Sequence, residues 1–131
     1  MPFMMVKVNQ KISKQQRTQL KAGLGRAISF VPGKSEDVLM VGIEDQYDLY
    51  LRGDDREVLA YVSVAIYGTP NHEGYVELNL AMTKLFYQVL HIQPENLFID
   101  YEDIKVWGTS GYFIDEQGVH VPDELGGAQT D

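Results

Sequence analysis

Two residues at the start and near the first third of the chain have types suited to chemistry: Pro2 and Lys34. Pro2 follows the initiator Met1, and proline is small enough for that methionine to be removed. Removal would expose a secondary amine. A free α-amine has a pKa of roughly 7.7–8.0 in a model peptide, and an apolar pocket or a nearby cation lowers it further. A neutral amine at pH 7 is a usable general base. Lys34, in Pro32-Gly33-Lys34-Ser35, offers a compact point charge for a substrate carboxylate. Both residues also suit plain roles: Pro2 as the start of a strand, Lys34 as a solvated loop cation.

The elements around them follow from periodicity. Residues 3–8 read as a first strand. Ser13 then caps a helix, with Gln16 placed three residues later as in a capping box. Leu20, Leu24, Ala27, Ile28 and Val31 recur at helical spacing, and Pro32-Gly33 stops the helix. Residues 38–44 and 59–67 read as the second and third strands. Thr69 is expected to cap a second helix with Pro70 at its first position. That helix carries the stripe Tyr75, Leu78, Met82, Leu85, Phe86, Val89 and ends before Pro94. Residues 97–101 make a fourth strand. A shift of 58 residues lays 97–103 on 39–45, and Tyr61, Val64 and Ile66 on Phe3, Val6 and Val8. The expected fold is therefore α+β: two pseudo-repeated βαβ units with right-handed crossovers form one four-stranded mixed sheet, with two helices on one face. In that topology the turn holding Lys34 lies at the end of the sheet where the first strand begins, within reach of Pro2. The third strand is apolar on both faces, so the face without helices needs a partner, and self-association is the simplest supply.

Composition narrows the function. The 131 residues make one globular domain's worth of chain. There are no cysteines, which removes disulfide, thiol and cysteine–zinc chemistry. His72, His91 and His120 lack ligand spacing, so no metal site and no cofactor is expected. Gly23-Leu24-Gly25 falls inside the first helix and reads as close helix packing. The net charge of −8 leaves no basic stripe for nucleic acid. No apolar run reaches the roughly 18 residues of a membrane span, and no secretory leader is visible, so the cytoplasm is the expected compartment. Residues 115–131 hold Asp115, Glu116, Asp123, Glu124 and Asp131 without a Lys or Arg. The chain is thus read as a domain of residues 1–114 and an acidic tail of residues 115–131, ordered only if it docks.

Met1-Pro2-Phe3, Gly33-Lys34, Ile66-Tyr67-Gly68, the run from Pro94 to Ile99 and the stretch from Trp107-Gly108 to Phe113 carry a resemblance. In order and spacing over residues 1–114 the chain resembles the tautomerase superfamily, in its macrophage migration inhibitory factor branch. The resemblance implies a homotrimer whose sheets wrap into a barrel, with sites between subunits. It implies cofactor-independent keto–enol tautomerisation of phenylpyruvate-like 2-keto acids, with Pro2 as base and Lys34 holding the carboxylate. Tyr67, Phe98 and Phe113 would form the wall for an aromatic substrate. Where the best-known members have a tyrosine and an asparagine in the fourth strand, contributed by the neighbouring subunit, this chain has Phe98 and Asp100. Their aromatic residue near the start of the second strand is replaced by Val38. Two other readings stay open: a hydratase or dehalogenase using a protonated Pro2 with Asp100 activating water and Arg52 nearby, and a non-enzymatic, cytokine-like trimeric binding protein.

Overall fold

The computed structural model describes residues 1–125. Strand β1 (Pro2–Val8) leads into helix α1 (Lys14–Ala27), then β2 (Met40–Glu44), β3 (Ala60–Tyr67), helix α2 (Tyr75–Leu90) and β4 (Leu97–Ile104). These four strands form one sheet in the order β2-β1-β3-β4. The outer pairs are parallel and the central β1–β3 pair is antiparallel. Phe3 lies opposite Met40 and Tyr61 opposite Phe98, so the 58-residue shift seen in the sequence maps one parallel pair onto the other. The mixed sheet with two pseudo-repeated βαβ units is the architecture expected from the sequence.

Alternation decides the two faces. In β1 and β3 every second residue is buried and its neighbours are half-buried. Met4, Val6, Val62 and Val64 are fully covered, as are Leu20 and Leu24 of α1 and Leu78, Met82 and Phe86 of α2. Covering apolar side chains of this size is worth roughly 1.5–3 kcal/mol each, which makes this layer the core. The opposite face, with Phe3, Met5, Tyr61, Ser63, Ala65 and Tyr67, carries no helix among the described residues. At its margins Met40 and Phe98 are 68% and 57% exposed. Between the helices Gly23 leaves no room for a side chain: a Cβ there would overlap Leu85 Cδ1.

Local signals hold well at α1. The Ser13 hydroxyl accepts the Gln16 N–H at 3.0 Å, and the Gln16 side-chain oxygen accepts the Ser13 N–H at 2.9 Å. The α-helix ends at Ala27, earlier than the apolar stripe suggests. Residues Ile28–Phe30 tighten into a 3-10 turn, and Val31 turns extended, as the residue before a proline does. The start of α2 corrects the sequence reading. Thr69 and Pro70 do not begin it. His72 and Gly74 have φ of 60° and 84°, so the segment makes a turn closed by the His72 N–H on the Thr69 carbonyl at 3.1 Å. Gly74 caps the helix with no side chain, because a Cβ there would collide with the Phe30 carbonyl.

Beyond β4, three short strands form a second, antiparallel sheet that the sequence did not reveal: β5 (Trp107–Thr109), β6 (Tyr112–Asp115) and β7 (Gly118–His120). Ser110 and Gly111, both at positive φ, turn β5 into β6. Leu125 folds back so closely on Gly111 that a Cβ at residue 111 would overlap it. Residues 126–131 of the acidic tail lie outside the described residues. Among the described residues no helix is long and apolar enough to cross a membrane.

Candidate active site

The amino terminus and Lys34 meet because two strand ends and one helix exit converge. Pro2 lies opposite Ile66, and the Tyr67 N–H donates to the Met1 carbonyl at 3.4 Å. After α1 the chain turns at Gly33 (φ 78°), and the Lys34 N–H donates to the Val31 carbonyl at 3.0 Å. The Lys34 Nζ then donates to the Tyr67 carbonyl at 2.9 Å. Burial pushes the Met1 amine down to about 5, and the hydrogen bond and charge of the adjacent Lys34 push in the same direction.

This corner opens into a cleft of about 480 Å³. Met1, Pro2 and Phe3 line it together with Val38 and Met40 around the start of β2, Ala65 of β3, and Trp107, Gly108 and Thr109 of β5. The lining is mostly apolar and includes Met1 and Pro2, and Lys34 stands beside the terminal amine. Such a lining suits a hydrophobic molecule with a single anionic group. Trp107, Met40 and Thr109 were not singled out as site residues from the sequence. Trp107, the chain's single tryptophan and followed by Gly108, was the signal that pointed to this stretch.

The remaining candidates fall at different distances. Tyr67 is at the corner, where its carbonyl receives Lys34. Phe113 pairs with Gly108 across β5 and β6, one strand from the cleft, and its half-exposed ring lies 5.7 Å from that of His120. Phe98 and Asp100 are not brought to Pro2 within one chain. Pro2 stands level with Ile66 and Asp103, so at about 3.3 Å per residue Asp100 is roughly 10 Å and Phe98 roughly 16 Å further along the sheet. Phe98 instead borders a smaller cavity of about 150 Å³ with Tyr50, Leu51 and Tyr61. Asp100 accepts hydrogen bonds from the Tyr61 hydroxyl and, at 2.8 Å, from the Ser63 hydroxyl. Arg52 is committed elsewhere: its Nη2 donates to Asn96 Oδ1 at 2.6 Å, at the opposite end of β3 from Pro2. Among the described residues no three His, Asp or Glu side chains converge as metal ligands. His72 and His120 each bond a single aspartate, Asp103 at 2.7 Å and Asp115 at 3.0 Å.

No protein-family model and no curated protein matches the sequence. Solved structures do match. Leishmania major MIF2 superposes with a TM-score of 0.78 at 24% identity, over 86% of this chain and 97% of that one. A structure described as Pt0534 inactivated by 2-oxo-3-pentynoate gives 0.73 at 15% identity, over 83% and 92%. A Q0 fused 4-OT wild type symmetric trimer gives 0.72 at 18% identity, over 82% and 91%. The chain therefore shares the fold of these structures, as the sequence resemblance implied.

Proposed function

We propose that this protein is a cofactor-independent keto–enol tautomerase of phenylpyruvate-like 2-keto acids, with the amine of Pro2 as its base once Met1 is removed. The observation that carries this reading is geometric: Pro2 lines an apolar cleft, and Lys34 reaches the same corner, its Nζ bonding the carbonyl of Tyr67 next to Ile66, the strand partner of Pro2. Pro2 nitrogen takes the proton from the carbon next to the keto group. The C–H electron pair becomes the C=C bond, and the carbonyl pair moves onto oxygen. That oxygen is then protonated by the Pro2 ammonium or by water, so no electron acceptor is needed. Lys34 has N–H groups left after bonding the Tyr67 carbonyl, and one of them receives the substrate carboxylate. Trp107 and Met40 pack against the ring, as does Tyr67.

Phe98, Asp100 and Phe113 join the site in a homotrimer, where the uncovered sheet faces turn inward and the fourth strand of one copy approaches the cleft of the next. The half-exposed apolar side chains of that face support this assembly, and a protein of the same fold is described as a symmetric trimer. Light scattering in dilute buffer is expected to give three times the chain's mass, and a stable monomer would rule the shared site out.

An electrophilic keto acid tests the base directly. A free secondary amine adds to the alkyne carbon of 2-oxo-3-pentynoate conjugated with its ketone. An N–C bond forms, one π bond of the alkyne breaks, and the amine proton ends on the adjacent carbon. Mass spectrometry should find one reagent per chain on Pro2 of the processed protein. An unmodified chain, or label on Lys34 alone, would remove Pro2 from the mechanism.

A further inference from the structure

We propose that Tyr61 and Ser63 are positioning residues that clamp the Asp100 carboxylate onto the open sheet face, and thereby set how well the site accepts an anionic substrate. The inference rests on the keto-acid reading above. Ser63 is the cross-strand partner of Asp100, and Tyr61 that of Phe98, so all four residues share one face. Each carboxylate oxygen has its own donor: Ser63 Oγ on Oδ1 and the Tyr61 hydroxyl on Oδ2. Neutral donors fix the orientation of a carboxylate and leave its charge in place. No cation pairs with Asp100 among the described residues: Arg52 bonds Asn96, and the ion pairs involve other aspartates. In the homotrimer proposed above, the fourth strand carries Asp100 toward the cleft of the next copy, so the clamp acts on that neighbouring site. A negative charge facing that site repels an incoming carboxylate, and the two hydroxyls fix how the charge is presented.

The hydrogen bond to Asp100, then burial, then the carboxylate's charge hold the Tyr61 phenol above its ordinary value, so it stays a donor throughout the neutral range. This supplies a readout independent of any ligand. In ¹³C-tyrosine NMR, Tyr61 should titrate late in the wild type and return toward ordinary tyrosine in Asp100→Asn. A Tyr61 titration unchanged by that substitution would overturn the clamp. The second readout is phenylpyruvate binding, followed through Trp107 fluorescence so that it needs no turnover. Tyr61→Phe should weaken binding about fivefold by freeing a charged group at an exposed site. Asp100→Asn should tighten it by up to about tenfold. In the Asp100→Asn background Tyr61→Phe should have no further effect. An equal effect of Tyr61→Phe in both backgrounds would show that Tyr61 acts by another route and overturn the proposal. Wild-type protein that binds phenylpyruvate without turning it over would sink the tautomerase reading alone. Failure to bind phenylpyruvate at all would sink the specificity role with it.

Discussion

Selective acetylation of the processed N-terminus should lower kcat/KM for phenylpyruvate by ~10²–10⁴-fold, the contribution typical of a positioned general base, with the fold retained. Acetylation turns the Pro2 amine into an amide, whose nitrogen lone pair is delocalised into the carbonyl and does not accept a proton near neutrality. Chains that keep Met1 should be inactive for the same reason. Pro2→Ala leaves a primary amine of different basicity and shape and should lose activity less completely. The pH profile adds a sign. The base works only when unprotonated, so the rate should be present above the amine's pKa and fall tenfold per unit below it. The surroundings that push the Met1 amine down to about 5 act at this same corner, so the acid limb should lie well below that of a free α-amine. Circular dichroism and particle mass would confirm that the variants are folded. Full activity in an acetylated sample would show that another group removes the proton.

Lys34→Ala should raise KM for phenylpyruvate by about ten- to a hundredfold, the range given by losing one hydrogen bond to a charged group. The same change should move the acid limb upward. Lys34 lowers the proton affinity of the terminal amine through its hydrogen bond and its charge, so its removal lets the amine hold its proton to higher pH. Lys34→Arg should recover part of the binding, because the charge remains while the reach and the geometry at the Tyr67 carbonyl differ. A keto acid methyl ester, which has no anionic group, should be nearly insensitive to Lys34→Ala. An unchanged KM for the acid in Lys34→Ala would leave the carboxylate without its proposed partner.

The two predictions draw on features of different legibility. The approach of Lys34 to the amino terminus follows from topology: in a βαβ unit with a parallel pair, the turn into the second strand returns to the end where the first began. That requires only strand–helix–strand order, which periodic side-chain patterns show. The Ser13–Gln16 box and the alternation of β1 and β3 are local in the same sense, because each depends on residues a few positions apart. The 58-residue repeat survived as register because both parallel pairs bury the same pattern against a helix.

Other features depended on contacts between distant segments. The first turn of α2 was displaced from Thr69 to Tyr75 because Gly74 must pass close to the Phe30 carbonyl, more than 40 residues earlier. β4 runs on to Ile104 because β3 offers it partners as far as Tyr67, although Glu102 and Asp103 are poor strand formers alone. The β5–β7 sheet is built of three- and four-residue strands too short to show a period, and its position beside Pro2 made Trp107 part of the cleft. Asp100 stood out in the sequence as a carboxylate where an acid should bind. Only the register of β3 against β4 decided that Tyr61 and Ser63, rather than a cation, would hold it. By itself, then, the sequence determined the order of elements, the buried faces and the end of the sheet where Pro2 and Lys34 meet, because those follow from local periodicity and chain connectivity. The tertiary structure decided the lining of the cleft and the partners of Asp100, because a hydrogen bond between strands depends on a register that neither strand specifies alone.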